Sequence, residues 1–387
     1  MKPLYNDIQY TMPGYEMQLT EQEKKRLVEL DTEYGRLVKM FRTYWCVNFP
    51  TNAEEEYEKF IKNYHKGIVY NPIVKIDTDR EQLQDCVRGF DNLINEFGHF
   101  RCFLSKYYIS QCQEFKYKSL YALYPDKYRN WYKTTQAQTP SLEDVVKAKQ
   151  VLIENPYKEP DKFSRNINAE KALKYCEKKI KKYEGFKVQM KKNQLPRMSV
   201  RSEEFSLNIS PDAMFSEVDL MGLNAHEIRG HVARRYYGAK HGLWLMVYGI
   251  GFANTYDEGI AVYNSLHRVS TRKPNILFNI ALKTYISSLL PGRSFYEIFD
   301  ILRKEFPAMP DKTLFKSVLR SKRANIDTGI PGGNGADQSY FCGYLKVKEM
   351  TQKQRDLLTH YNIGPEIYAD LDDFIKFFSV NKFNSLI

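Results

Sequence analysis

The sequence predicts an α+β protein, mostly helical, with a small antiparallel sheet beside one chemically distinctive helix. Apolar residues recur at three- and four-residue spacing through most of the chain, the mark of amphipathic helices. A short stretch after residue 185 instead alternates apolar and polar residues, the mark of strands. With 43% hydrophobic residues over 387 positions, the chain can bury a substantial core.

The helical periodicity runs from "LTEQEKKRLVELDTEYGRLVKMFRTYW" through "DREQLQDCVRGFDNLINEF" to "SLEDVVKAKQVLIEN", with Thr20, Asp77 and Ser141 expected as N-caps. "NAEKALKYCEKKIKKYEG" reads as a further helix closed by Gly185. "FKVQMKKNQLPRMSVRSEEFSLNIS" then reads as two or three short strands. After Pro211 the helical pattern returns, broken at "YGIGFANTYD", "STRKP" and "NIDTGIPGGNGAD". No repeat or low-complexity linker marks a hard boundary. The expected division is soft, an N-terminal helical region at 1–184 and a region at 185–387 that carries the chemistry, with one compact unit as the alternative.

Composition narrows the function. Lys and Arg number 58 against 47 Asp and Glu, and the resulting net charge of +11 favours acidic partners. The cluster Lys178, Lys179, Lys181, Lys182, Lys187, Lys191 and Lys192 suggests a polyanion-binding face, although a solvated helix face and strand edge accounts for it more simply. Cys46, Cys86, Cys102, Cys112, Cys176 and Cys342 form no CxxC pair, so reduced buried thiols are expected rather than a zinc ribbon or disulfide scaffold. No signal-like N-terminus and no apolar run of membrane-spanning length is present, which predicts a soluble, cytoplasmic protein.

The candidate chemistry lies in "NAHEIRGHVARRYYG". On an ideal α-helix His226 and His231, five residues apart, would point about 140° away from each other and could not share an ion. A local π-bulge, with one turn closing over about five residues, would realign them, and Gly230 sits inside the interval. A catalytic zinc takes three protein ligands and keeps one open position. Glu258, in "TYDEGIAVYNSL", is the best third ligand, with Gly259 and Ala261 small enough for close helix packing. Asp257 is placed to accept from a ligand histidine's second N–H, and Glu227 to polarise the attacking water. His241 is a rival ligand, more simply a core or surface residue. His65, His99, His267 and His360 stand alone and read as structural.

Taken together, "AHEIRGHVARRYYG" and "TYDEGIAVY" resemble the HExxxH zinc peptidase family that includes the microtubule-associated tyrosine carboxypeptidases and bacterial proteins with a Gln-Glu-Gly-Leu-Ala motif. "SVLRSKRANIDTGIPGGNGADQSYFCGYLKV" resembles the family's third segment, "FSLNISPDAMFSEVDLMGLNAHE" the strand and helix entry, and "GIVYNPIVKI" gives a fainter match. The resemblance implies a zincin-like metallopeptidase core, zinc on His226, His231 and Glu258, and Glu227 as general base. It further implies Arg320, Arg323 and Tyr340 in the substrate cleft, where a guanidinium fork suits a terminal carboxylate. The implied activity is a carboxypeptidase removing an aromatic, tyrosine-like residue from a protein or peptide tail, acidic in the tubulin-directed members. An extended peptide would lie along residues 197–209. Asp257 and Ile260 replace the family's Gln and Leu, and Ala336 replaces a lysine, which bears on substrate recognition rather than on zinc.

Two other readings compete. One is a basic nucleic-acid- or polyanion-binding protein with structural histidines, although the 29 Tyr and 23 Phe occupy apolar periodic positions and read as core. The other is a non-peptide zinc hydrolase, which differs only in substrate. No membrane partner is expected.

Overall fold

The computed structural model describes every residue except 1–15, 45–49, 76–78, 125–126, 128–138, 160–164, 193–195, 252, 270–272, 323–324, 365–366 and 368–369. In the first half, α1 (Glu21–Tyr44), α2 (Ala53–Tyr64), α3 (Arg80–His99), α4 (Ser105–Leu123) and α5 (Leu142–Glu154) precede β1 (Ile167–Asn168) and α6 (Ala169–Ile180). Four strands follow, β2 (Lys187–Met190), β3 (Met198–Arg201), β4 (Ser206–Ile209) and β5 (Met214–Phe215). The chain then enters α7 (Glu217–His226), a π-helical turn (Glu227–Val232), α8 (Ala233–Lys240), α9 (Trp244–Tyr248) and α10 (Ala253–Arg268). It closes with α11 (Lys273–Leu289), α12 (Phe295–Glu305), α13 (Asp311–Lys322), α14 (Ser339–Lys348), α15 (Gln352–Tyr361) and α16 (Leu371–Val380).

Local chemistry fixes the helix starts. Thr20 Oγ1 accepts from the Glu23 amide at 3.3 Å while the Glu23 carboxylate accepts from the Thr20 amide at 2.8 Å, a reciprocal capping box at α1. Ser141 caps α5 by accepting from the Asp144 amide at 3.1 Å. The α3 cap is Asp79, which accepts from the Gln82 amide at 3.0 Å. The Asp77 expected there lies outside the described residues; the cap must directly precede the first helical turn, and that turn begins at Arg80. Gly185 does not close α6 either, because the helix ends at Ile180. At φ +86° Gly185 instead turns the chain into β2, with a conformation that costs glycine little.

The fold is mostly helical with small sheets, as the sequence predicts, but one sheet is mixed rather than antiparallel. Its order is β2-β4-β3, with β3 antiparallel to β4 and β2 parallel to it. The chain passes over the centre of the sheet and then fills it with β4, so β4 runs against β3 and therefore along β2. β1 and β5 form a separate antiparallel pair.

Three buried apolar clusters hold the elements together, and each draws on residues before and after Gly185. The first joins Leu37, Phe90 and Phe115 of the early helices to Met246, Ile260 and Phe377. The second centres on Phe60, whose ring lies 4.9, 4.8 and 5.5 Å from those of Phe295, Phe299 and Phe315. The third packs Cys176 and Ile180 of α6 under Leu207, Ile209, Ile228 and Val232, seating the π turn on the sheet. Each fully buried side chain of this size contributes about 1.5–3 kcal/mol. Asp31 of α1 adds a polar tie, accepting from the Trp244 and Leu245 amides at 2.6 and 3.0 Å and so capping α9 from another helix.

Cys86, Cys102, Cys112, Cys176 and Cys342 are buried and unbridged, and Cys46 lies outside the described residues. No helix among the described residues is long and apolar enough to cross a membrane.

His241 sits partly buried against the rings of Tyr361 and Phe378, at 4.9 and 4.6 Å, with Nε2 3.2 Å from the His360 carbonyl. Burial lowers its pKa to about 4. Its folded pKa lies below the unfolded value near 6.5, so between these values the unfolded chain binds the extra proton and stability is lost as pH falls. Allowing for partial exposure, wild type should lose about 1–2 kcal/mol more than His241→Gln between pH 7 and pH 4.5. Urea unfolding of both proteins across that range checks it; parallel pH profiles would remove His241 as the cause.

Candidate metal centre

The π turn solves the problem set by the five-residue spacing. It spans six residues, Glu227–Val232, and continues α7 into α8 without breaking the rod. Its widened turn brings His226 Nε2 to 3.3 Å from His231 Nε2. α10 lies close against it. A Cβ on Gly230 would stand 2.7 Å from Ala261 Cβ and 2.8 Å from its Cα, so the approach requires glycine at 230. On its far side α10 meets α14 just as closely, since a Cβ on Gly259 would stand 2.5 Å from the Gly343 carbonyl carbon.

That packing delivers Glu258. Its Oε2 lies 3.5 Å from His226 Nε2 and 3.6 Å from His231 Nε2, completing a near-equilateral triangle of donor atoms. Zinc bonds of about 2.0–2.2 Å in a tetrahedron set ligand atoms about 3.3–3.6 Å apart, which is the size of this triangle. Glu258 Oε2 is also buried without a hydrogen-bond partner among the described residues. A buried carboxylate oxygen with no hydrogen bond is costly, and a cation at the centre of the triangle would satisfy it. The residues present therefore fit a zinc ion.

A buried ionic network backs the triangle. Asp257 Oδ2 lies 2.9 Å from His231 Nδ1 and accepts from Arg235 Nη2 at 2.6 Å, while Oδ1 lies 3.1 Å from Arg234 Nε. Arg234 is fully buried and also donates to Asn362 Oδ1 at 3.1 Å and the Leu358 carbonyl at 2.9 Å, anchoring the network to α15. Burial alone would raise the Asp257 carboxyl, but Arg235, His231 and Arg234 outweigh it and hold the group well below the carboxylate range. Glu258 is held low in the same way, burial being outweighed by His231 and His226. Burial opposes charge on His231, yet Asp257 and Glu258 together push it well above the usual histidine value. Glu227, only 7% exposed, is raised by burial.

The expected cleft residues divide. Tyr340 on α14 stacks on His226, with ring centroids 6.2 Å apart and 11° between planes. Arg320 on α13 is bound by Asp337, donating from Nη2 at 3.0 Å and from Nε. Asp337 thus occupies the edge of the fork that the sequence offered to a substrate carboxylate. Arg323 lies outside the described residues. Sequence reasoning missed Lys283 on α11, whose Nζ lies 3.6 Å from the Tyr340 ring centroid, and nothing in "NIALKTYISS" signals it. It also missed Arg234 and Arg235, although both follow His231 at i+3 and i+4, the helical spacing that shares a face.

Comparison with known proteins adds an independent line. The sequence model of a family described as microtubule-associated tyrosine carboxypeptidase matches residues 113–363, which contain the whole constellation. Human microtubule-associated tyrosine carboxypeptidase 1 is 31% identical over 159 residues, covering 40% of this chain and 32% of that protein. The rat protein of the same name is 30% identical with the same coverage. The chain thus matches about a third of the length of these relatives. A crystal structure from Colwellia psychrerythraea, described as a lipoprotein, overlays 89% of this chain and 76% of its own with a TM-score of 0.43 and 12% identity, too low a likeness to assign a fold.

Proposed function

The chain belongs to the microtubule-associated tyrosine carboxypeptidase family, and from that premise we propose that it is a zinc metallopeptidase acting as a carboxypeptidase on a protein or peptide tail. The observation that carries the reading is the donor triangle of 3.3, 3.5 and 3.6 Å formed by His226, His231 and Glu258 around a buried, unpartnered carboxylate oxygen. Zinc bound there supplies Lewis acidity for activating water and polarising a carbonyl.

The protein's own groups do the rest. Glu227 is next to His226 in sequence but outside the triangle. Its carboxylate takes a proton from the attacking water and gives it to the leaving amine nitrogen. The raised pKa that burial gives Glu227 suits a group that must both hold and release that proton. Asp257, fixed by Arg234 and Arg235, orients His231. Tyr340, stacked on His226, forms a wall of the cleft, and Arg320, steadied by Asp337, offers its remaining donors to the substrate's terminal carboxylate. Of the two strands within residues 197–209, β3 is an edge and β4 is enclosed between two neighbours, so an extended substrate along this stretch pairs with β3. The net charge of +11 favours an acidic tail, and the unbridged buried thiols support action in the cytosol.

Incubating the zinc-loaded protein with acidic peptides ending in Tyr, Phe, Ala or Glu, and reading products by mass spectrometry, tests the reading. The expected product lacks one C-terminal residue, aromatic ends react fastest, and C-terminal amides resist. Internal cuts, or equal cleavage of amides, would exclude a carboxypeptidase.

A further inference from the structure

A basic groove lies where α6 and the turn after it meet the α7–π segment. A cavity of about 370 Å³ is lined by Lys178 and Lys179 of α6, Lys181 and Lys182 of the turn that follows, Arg229 of the π turn and Arg268 at the end of α10. No carboxylate lines it. None of these six cations forms an ion pair among the described residues, whereas Lys191, from the same lysine-rich stretch of sequence, pairs with Glu204 at 2.7 Å. The lysines singled out in the sequence are exposed at Lys178, Lys179, Lys181 and Lys182, as a solvated helix face requires, but these four also border one groove. Four of them converge with two arginines from separate elements on a concave floor that includes Met221, Ala225 and Ile228.

Six exposed like charges around one groove repel one another, and a multivalent anion is the complement that relieves them. The cavity is the size of a small-molecule site. Flexible lysine ammoniums act as point charges that suit several phosphoryl groups, and the arginines can grip phosphate oxygens in pairs. We propose that this groove binds a compact polyphosphorylated ligand. Arg229 is the link to the chemistry, since it occupies the π turn between Glu227 and His231. Ligand in the groove loads the same turn that sets the donor triangle.

The experiment titrates metal-free full-length protein with inorganic tripolyphosphate by calorimetry at 0.15 M salt. Because binding is read without turnover, its outcome is independent of the peptidase reading. The expected result is saturable one-to-one binding, weakened tenfold or more in the double variant Arg229→Gln/Arg268→Gln. The double variant Lys348→Gln/Lys353→Gln, with the same charge change elsewhere, should stay within twofold of wild type. Circular dichroism verifies that both variants fold, and Lys182→Gln provides a milder second test with a smaller loss in the same direction. Vesicles carrying a phosphoinositide form a parallel arm: capture lost in the Arg229/Arg268 variant assigns the phosphoryl groups to a lipid headgroup, and binding of the free anion alone assigns them to a soluble ligand. No saturable binding in either arm, or equal weakening by the control pair, overturns the proposal. Tighter binding of a ten-residue polyglutamate than of tripolyphosphate also overturns it, in favour of an acidic peptide.

Discussion

Glu227→Gln should lower kcat for peptide hydrolysis about a thousandfold or more while leaving one zinc per chain in place. Glutamine keeps the size of the side chain and removes only its ability to take up a proton. Glu227 is not one of the three atoms of the triangle, so metal retention should be unchanged. Stability should not fall, because the buried carboxyl at this position already resists ionisation and a neutral amide avoids that cost. Parallel assays of kcat, zinc content and urea unfolding separate these effects. Near wild-type turnover in the variant would sink the assignment of Glu227 as the proton carrier, whatever the metal content.

The largest stability effect should come from Asp257→Ala. Asp257 is 3% exposed and is the anion shared by His231, Arg235 and the fully buried Arg234. Removing it leaves buried guanidinium charge uncompensated, which costs about 3–5 kcal/mol. It also frees the His231 ring, so zinc affinity should fall about 10–100-fold. Asp257→Asn retains the shape and part of the hydrogen bonding, and should lie between wild type and Ala on both scales. Urea unfolding and zinc competition with a chelator measure the two effects. A loss under about 1 kcal/mol for Asp257→Ala would mean that Arg234 and Arg235 are satisfied without it.

What the sequence revealed depended on whether the information was local. The five-residue gap between His226 and His231 demanded a widened turn, and the π turn over Glu227–Val232 meets that demand because helical geometry constrains nearby residues strictly. Thr20 and Ser141 were recognisable as caps for the same reason, while Asp77 and Asp79, two equivalent carboxylates ahead of one helix, were not distinguishable. The direction of β2 was hidden because it follows from which strand fills the centre of the sheet, a pairing between segments far apart in sequence. Arg320 was legible as a charge near the site, but its pairing with Asp337 depends on how α13 and the loop before α14 come together. Lys283 over the Tyr340 ring is a contact between α11 and α14 with no local pattern to announce it. The six-cation groove was half visible: the lysines stand together in the sequence, whereas Arg229 and Arg268 join them only in the fold.

His226, His231 and Glu258 are proposed to hold a metal ion. Elemental analysis of wild-type and His231→Ala protein after dialysis against metal-free buffer tests it most directly. One zinc per wild-type chain is expected and none in the variant, since two remaining donors make a weak site. A folded wild-type protein that retains no zinc even after zinc is added back would contradict it, and would leave the triangle as a buried cluster of two histidines and a carboxylate with no ion to hold.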